Sequence, residues 1–239
     1  MLVQHAQSRL LAGVKPSTIG VDLSLISTVL EAAKEANIVS LDLAVIAEAR
    51  RRCKRDGLAG SSDKSARRIT DHELKDLSDH FAREDGRLEL PMRDLMWFAL
   101  HSTRRVSKIC RLEWQDNDPN ERTGLVRDAS RPHESNAIHK RFRMTREAWD
   151  IVNRQPQAGQ YIFSYKPRSI GIAFSRACMV LGVTELTFDN LRQEGMIRLF
   201  ERGLNLTQVR EHAVCDTPET LRRCQEIACP DLRQGGMRR

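Results

Sequence analysis

The segment LTFDNLRQEGMIRLFERGLNLTQVREHAVCDTPETLRRC, residues 186–224, contains two helical patterns, each centred on an arginine. Its spacing of polar residues is that of a site for phosphate chemistry, where a nucleophile and its proton-handling partners lie at set intervals. At those intervals the chain carries Asp189, Gln193, Cys215 and Cys224. The segment therefore belongs either to an enzyme with unusual chemistry or to an enzyme fold that has lost its reaction.

The chain length and the polar N-terminus limit the number of domains and the classes of protein to which the chain can belong. At 239 residues, the chain can form one large domain or two modest ones, each with its own core. MLVQHAQSRL, residues 1–10, breaks its apolar run with polar residues, so we predict no secretory signal. No apolar run approaches the roughly 20 residues of a membrane span. We expect a cytoplasmic, nucleoid-associated bacterial protein whose six cysteines are reduced thiols.

The charge is positive and clustered. The chain has 39 Lys and Arg against 32 Asp and Glu, a net charge of +7. The excess lies in RRRCKR (50–55), KSARR (64–68), HSTRR (101–105) and HKRFR (139–143). One such cluster is typical of a solvated helix face, but four together favour a polyanionic partner, and a nucleic-acid backbone fits best.

Two helices are predicted in the N-terminal part. The first covers residues 17–36, with Ser17 as its N-cap and a core side of Ile19, Leu23, Ile26, Val29 and Leu30. The second covers residues 40–54, with a core side of Leu41, Leu43, Val45 and Ile46. Residues 57–68 are rich in Gly and Ser and have no apolar period. We therefore predict a helical domain over 1–60, a linker over 61–68 and a larger domain over 69–239.

The larger domain is predicted to be mainly helical with a small β element. Thr70 and Glu73 have capping-box spacing at the start of a helix over 69–84, and Pro91 begins another over 91–114. Residues 123–144 alternate as two strands around a polar turn. A short helix over 145–156, a strand-like run over 161–165 and further helices to Arg223 follow. The predicted fold class is α+β, mainly α with a small β-sheet.

Several strings, in their order along the chain, resemble the tyrosine recombinases, or phage-type integrases. ALHSTRRVSKICRLEWQDND (99–118) is similar to the family's first arginine box, T-G-x-R-x-S-E-I-x-x-L-x-W. VRDASRPHESNAIHKRFRMT (126–145) is similar to its β-hairpin, and residues 162–214 resemble the part that ends in H-x-L-R, a helix and G-H. KPSTIGVDLSLISTVLEAAKE (15–35) resembles the end of its core-binding domain. The resemblance implies a truncated, SAM-like helical core-binding domain followed by a catalytic-type domain.

The resemblance also implies roles for individual residues. The two arginines that clamp the scissile phosphate correspond by position to Arg105 and Arg192, and both are present. The lysine that protonates the leaving oxygen corresponds to Ser130. A serine hydroxyl is too weak an acid for that step at neutral pH.

The other positions of the family's site also differ. Its first histidine corresponds to Asp189, its second to Cys215, and its nucleophilic tyrosine to Cys224. Lys108 stands where the first arginine box has an acidic residue. The resemblance thus implies a member that keeps the phosphate clamp and lacks its catalytic groups.

Two alternatives concern the cysteines. Cys224 would be a nucleophile if Arg222 or Arg223 lowered its pKa, although a soft sulfur suits phosphorus poorly. A zinc site would need His212, Cys215, Cys224 and Cys229, whose spacing matches no common pattern. Packed thiols are the simpler interpretation, so we predict neither a metal nor a cofactor.

The resembled family clamps duplex DNA between its two domains, which implies a double-stranded DNA partner here. The predicted contacts are Lys15, Ser17, Thr18, Arg50, Arg51, Arg52, Lys54, Arg55, Lys64, Arg67, Arg68, Arg104, Arg105, Arg131, Lys140, Arg141 and Arg192. Because the first domain is small, we expect a homo-oligomer, a dimer or larger. The predicted function is that of a catalytically inactive DNA-binding protein of a mobile element, acting as a site-specific transcriptional regulator or an architectural accessory factor. The alternatives are an active recombinase that uses Cys224 and a decayed integrase that retains only its fold.

Overall fold

The computed structural model describes residues 1–40, 42–60, 67–84, 89–127, 139–215 and 217–230. The chain divides into two compact units, Met1–Ala66 and Arg67–Arg239. Arg67 and Arg68, predicted to lie in the linker, therefore belong to the larger unit.

Over residues 1–40 and 42–60, the smaller unit has three helices: α1 (Leu2–Leu11), α2 (Pro16–Glu35) and α3 (Leu43–Arg55). Helix α1 was absent from the sequence prediction. Helix α2 begins with Pro16 after Lys15 at the N-cap position, so the predicted Ser17 cap was wrong. Proline suits this first position because its missing N–H has no partner within the helix.

The core of the smaller unit is a narrow stripe that includes Ile19, Leu23 and Cys53. Val29 and Val45, predicted to be core residues, are 66% and 64% exposed. Three helices cover only one face of each helix, so apolar residues off that face stay in solvent. Leu41 lies outside the described residues.

The larger unit is mainly helical with a two-stranded antiparallel sheet, which confirms the predicted fold class. Its elements are α4 (Asp71–Glu84), α5 (Met92–Ser102), α6 (Val106–Ile109), β1 (Thr123–Val126), β2 (Lys140–Arg143), α7 (Arg146–Asn153), α8 (Pro167–Val180), α9 (Phe188–Glu201), α10 (Leu206–Ala213) and α11 (Pro218–Ala228). The strands pair in a register that runs from Thr123 opposite Arg143 to Val126 opposite Lys140.

The structure of the larger unit confirms some of the elements predicted from short sequence patterns and contradicts others. The capping box is confirmed, since Thr70 N–H donates to Glu73 at 2.9 Å and Glu73 N–H donates to Thr70 Oγ1 at 3.2 Å. The helix predicted over 91–114 is confirmed only over Met92–Ser102, because Thr103 adopts a left-handed φ of 55° and ends α5. The run over 161–165 is not a strand, and only Tyr161 forms a bridge, with Glu113.

Helix α5 lies in the middle of the main core, where most of its side chains are buried. Helix α9 crosses it so closely that a Cβ atom added to Gly195 would overlap the carbonyl oxygen of Leu100. That added atom would also lie 2.9 Å from Thr103 Cγ2. Glycine at residue 195 therefore brings α9 against the end of α5, where the candidate site begins.

Candidate nucleic-acid interface

Arg104 is buried at the corner between α5 and α6, with 3% of its surface exposed. Its Nη1 donates to the carbonyl oxygen of Ala213 at 2.8 Å, and its Nη2 donates to that of His212. Its guanidinium lies 4.1 Å from the centre of the Phe142 ring. These contacts contradict the prediction that Arg104 binds DNA, because the side chain is enclosed by its own unit.

Arg192 reaches the same corner from α9. It is 8% exposed, and its Nε donates to the carbonyl oxygen of Thr103 at 3.1 Å. Arg105 is exposed at the N-cap position of α6. Within the described residues, neither the terminal nitrogens of Arg192 nor the side chain of Arg105 forms a hydrogen bond or an ion pair. Arg105 and Arg192, which correspond by position to the family's phosphate-clamping arginines, therefore keep N–H donors that could bind an anion.

Asp189 is exposed in the first turn of α9. In the part of the chain that the structure describes, it forms no ion pair with Arg105 or Arg192. A carboxylate suits the N-terminus of a helix because it complements the helix dipole. An ionised carboxylate accepts hydrogen bonds and donates none, so Asp189 cannot supply the donor of the family's first histidine.

The corner between α5 and α6 has an excess of positive charge. Burial, followed by the charge of Arg192, lowers the pKa of Arg104 from its usual value. A guanidinium nevertheless keeps its proton at neutral pH. No carboxylate among the described residues pairs with Arg104 or Arg192. An anion bound at the corner would therefore relieve the repulsion between two close positive charges.

Cys215 and Cys224 are each 3% exposed and pack in a small apolar cluster with residues of α9 and α10. The Cys215 thiol donates to the carbonyl oxygen of Thr217, with an S···O distance of 3.8 Å. Burial raises the pKa of Cys224 to about 11, and the opposing charges of Arg192 and Arg223 do not overcome it. Cys224 is therefore a protonated, packed thiol at neutral pH.

The structure does not gather the zinc ligands of the second alternative. Across the described ranges, no group of three or more His, Cys, Asp or Glu side chains could hold a metal ion. All six cysteines are free thiols. Three predicted site residues, Lys64, Ser130 and Arg131, lie outside the described residues.

His212 has a role that the sequence did not indicate. It lies at the end of α10, and its Nε2 is 3.3 Å from the carbonyl oxygen of His101 at the end of α5. Burial, followed by the charge of Arg104, lowers the pKa of His212 to about 4. Neutral His212 with its proton on Nε2 donates to His101 and links α10 to α5.

We expect the free energy of unfolding to fall as the pH drops from about 6.5 towards 4. Unfolded His212 binds a proton near pH 6.5, whereas folded His212 binds one only near pH 4. Its contribution is complete above the unfolded pKa and is lost below it, by roughly 3 kcal/mol at pH 4. Urea unfolding of His212→Gln and of the wild type at several pH values measures this contribution.

The exposed His72, on α4, provides the matched control for that series. His72→Gln should keep the wild-type pH dependence, whereas His212→Gln should flatten it. Equal slopes for His212→Gln and the wild type would contradict the assignment.

Arg67 and Arg68 form ion pairs inside the larger unit. Arg67 pairs with Glu73. Arg68 Nη2 lies 2.8 Å from Glu194 Oε1, and Arg68 Nη1 lies 2.6 Å from Glu201 Oε1. The donors of Arg68 that were predicted to reach DNA are therefore occupied by carboxylates.

Glu194 is the centre of this ion-pair network and was missed by the sequence analysis. It is 1% exposed and also accepts from Arg198 Nε at 2.9 Å. Arg198 in turn pairs with Asp71 at the start of α4. In the sequence, the only sign of this role is that Glu194 is an acidic residue among many apolar residues, two positions after Arg192.

Several predicted DNA contacts of the smaller unit share one groove between α2 and α3. The groove has a volume of about 1050 Å³ and is lined in part by Ser17, Thr18, Arg50, Arg51 and Lys54. Phosphate-binding residue types therefore lie along one surface of this unit.

The other predicted contacts of the smaller unit are also at its surface. Lys15 is exposed at the N-cap of α2. Arg51 and Arg55 pair with Glu48, and Arg52 pairs with Asp56. Exposed pairs of this kind are worth little, so these arginines can exchange a carboxylate for a phosphate.

The sheet carries the last two predicted contacts. Arg141 is exposed, and its Nη1 donates to Thr123 Oγ1 at 3.2 Å and to the carbonyl oxygen of Asp116 at 3.3 Å. Lys140 is half-buried in β2. Lys108 Nζ donates to the carbonyl oxygen of Arg127 at 3.1 Å and joins the first arginine box to the end of β1.

The phage integrase family model matches residues 67–213 of the chain. The Tn1549 transposon integrase in complex with circular intermediate DNA superposes with a TM-score of 0.65 at 13% identity, over 99% of this chain and 83% of that one. A lambda integrase dimer bound to a COC' core site superposes with a TM-score of 0.66 at 15% sequence identity. The match covers 94% of this chain and 63% of that one. XerA recombinase superposes with a TM-score of 0.54 at 14% sequence identity, over 99% of this chain and 90% of that one. A search of curated protein sequences finds no match.

None of the helices in the described ranges combines the length and apolar composition that crossing a bilayer requires.

Proposed function

Because the chain belongs to the phage integrase family, we propose that it binds duplex DNA and holds the phosphodiester backbone without cutting it. Its role would be that of a site-specific transcriptional regulator or an architectural accessory factor of a mobile element. The partner is double-stranded DNA, bound at the nucleoid by two or more copies of the chain.

One observation carries this proposal. Arg105 and Arg192, the two phosphate-clamp positions, keep nitrogen donors available, while the nucleophile position holds the enclosed thiol of Cys224. Binding a phosphate needs donors and positive charge, and both are present at the corner between α5 and α6. Cutting also needs a nucleophile and a general acid.

The charge distribution and the solved relatives support a DNA partner. The chain carries a net charge of +7, and Arg50, Arg51 and Lys54 line part of the groove in the smaller unit. The Tn1549 and lambda integrases were solved as complexes with DNA. Long-range attraction to a polyanion follows from such clustered charge.

The alternative of an active recombinase that uses Cys224 requires a thiolate. With a pKa of about 11, only about one Cys224 in ten thousand is ionised at pH 7. The thiol would also have to leave a cluster in which it is 3% exposed. These observations favour a binding protein over an enzyme.

We expect Arg105→Ala to weaken binding to a labelled 30-base-pair duplex by about tenfold, because one phosphate contact is lost. Fluorescence anisotropy over a salt series should show a slope reduced by about one. Arg83→Ala is the matched control, since Arg83 is exposed on α4 and bonds to the carbonyl oxygen of Asp79. Equal effects of the two variants would contradict a phosphate contact at Arg105.

A nicked duplex that traps covalent intermediates separates the alternatives. We expect no protein–DNA adduct on a denaturing gel. An adduct that forms with the wild type and disappears in Cys224→Ala would identify an active recombinase. The absence of DNA binding at any salt concentration would identify a decayed chain that retains only its fold.

A further inference from the structure

The guanidinium of Arg104 is buried without a carboxylate partner among the described residues. Its Nε–H is also enclosed and has no hydrogen-bond acceptor within the described part of the chain. Burying a charge under these conditions is costly, and an apolar residue of similar length would avoid the cost. The contacts of Arg104 therefore need an explanation beyond the stability of the unit.

Arg104 joins three separate elements. Its terminal nitrogens donate to the carbonyl oxygens of His212 and Ala213 at the end of α10, and its planar face covers Phe142 of β2. Carbonyl groups at the end of a helix lack partners inside it and favour a positive charge. Arg104 thus fixes the end of α10 and β2 to the corner where α5 ends.

The same corner anchors Arg192. The carbonyl oxygen of Thr103, the residue before Arg104, accepts the hydrogen bond from Arg192 Nε at 3.1 Å. Arg105, the residue after Arg104, begins α6 with its side chain exposed. A shift of the corner would therefore move both arginines of the phosphate clamp together.

The backbone at both ends of this connection is strained. Thr103 has a φ of 55° and Val214, which follows α10, has a φ of 43°. Residues branched at Cβ rarely adopt left-handed conformations, which persist only where the surroundings hold them in place. Arg104 links these two positions. Thr103 precedes it in the sequence, and Val214 follows Ala213, whose carbonyl oxygen accepts a hydrogen bond from Arg104.

We propose that Arg104 is a positioning residue, which holds the corner of Thr103 and the end of α10 together so that Arg105 and Arg192 face one phosphate. This inference rests on the proposed function, because the two arginines matter only where a phosphate is bound. Arg104 itself does not touch the DNA.

A purely structural residue and a positioning residue differ in one measurable respect. Arg104→Met removes an unpaired buried charge and also two hydrogen bonds, and these effects oppose each other. We therefore expect its thermal midpoint to stay within about 4 °C of the wild type. Its affinity for the labelled 30-base-pair duplex should nevertheless fall by about tenfold or more.

Arg104→Lys is the conservative variant, and Arg83→Met is the matched control. Lysine keeps the charge and one donor, so it should restore part of the affinity that Arg104→Met loses. Arg83→Met should bind the duplex as the wild type does. Should Arg104→Met fail to fold, Arg104→Lys alone must show weakened binding at a wild-type thermal midpoint.

A second readout does not depend on DNA. Release of the end of α10 should expose Cys215, now 3% exposed, so its alkylation in Arg104→Met should be at least about tenfold faster. Cys53, buried in the smaller unit, should be alkylated at an unchanged rate and serves as the internal control. Mass spectrometry of the peptides distinguishes the two cysteines.

The two readouts separate the two proposals. Faster alkylation of Cys215 together with weaker DNA binding supports the positioning role. If the wild type binds no DNA while Cys215 still reacts faster in the variant, the proposed function fails and the link between the corner and α10 stands. Unchanged alkylation and unchanged affinity in Arg104→Met would overturn the inference.

Discussion

Gly195→Ala is expected to destabilise the larger unit by at least about 4 kcal/mol. The added methyl group would overlap the backbone carbonyl of Leu100, which cannot rotate away as a side chain can. Helices α5 and α9 would have to separate, and Arg192 would lose its bond to Thr103. Urea unfolding followed by circular dichroism measures the loss.

Gly171→Ala is the matched control for this experiment. Gly171 lies inside α8, and nothing approaches within 4 Å of the position its Cβ would take. Alanine favours a helix more than glycine does, so Gly171→Ala should stabilise the unit by up to about 1 kcal/mol. A Gly195→Ala protein as stable as Gly171→Ala would show that α5 and α9 do not cross as closely as described.

Glu194→Gln is expected to cost roughly 2–3 kcal/mol, because a buried carboxylate that accepts from two arginines is replaced by a neutral amide. Arg68 and Arg198 remain 37% and 30% exposed and keep Glu201 and Asp71 as partners. Both oxygens of Glu194 accept from Arg68, at 2.8 and 3.0 Å, and one also accepts from Arg198 at 2.9 Å. Glutamine would keep one acceptor and turn two new donors towards these guanidinium groups. The free energy of unfolding again measures the effect.

Glu201→Gln provides the comparison on the same ion-pair network. Glu201 also pairs with Arg68, at 2.6 Å, but its side chain is 38% exposed. An exposed pair contributes at most about 1 kcal/mol, so Glu201→Gln should be mild. Equal losses in the two variants would mean that burial does not strengthen the network.

The sequence predicted elements better than it predicted which way side chains face. Apolar periods and the Thr70–Glu73 capping box correctly indicated mainly helical structure, because these signals depend on nearby residues. The end of α5 at Thr103 was missed, since a residue branched at Cβ gives no sign of a left-handed conformation.

The candidate site shows the same limit. Arg104 and Arg105 are identical neighbours in the sequence, yet one is enclosed and the other exposed. The positions of α10 and β2, determined by packing over a long distance along the chain, make that difference. Glu194 likewise acquires its role from Arg68, 126 residues away. Pairings of this kind cannot be inferred from local patterns.

The close packing around Cys224 limits which side chains residue 224 can hold. A tyrosine introduced at residue 224 would bring a phenol ring into space that encloses a thiol with 3% exposure. Neighbouring residues such as Met196 and Leu221 would have to change at the same time. A tyrosine at residue 224 therefore needs several coordinated substitutions, and a single mutation meets a steric barrier.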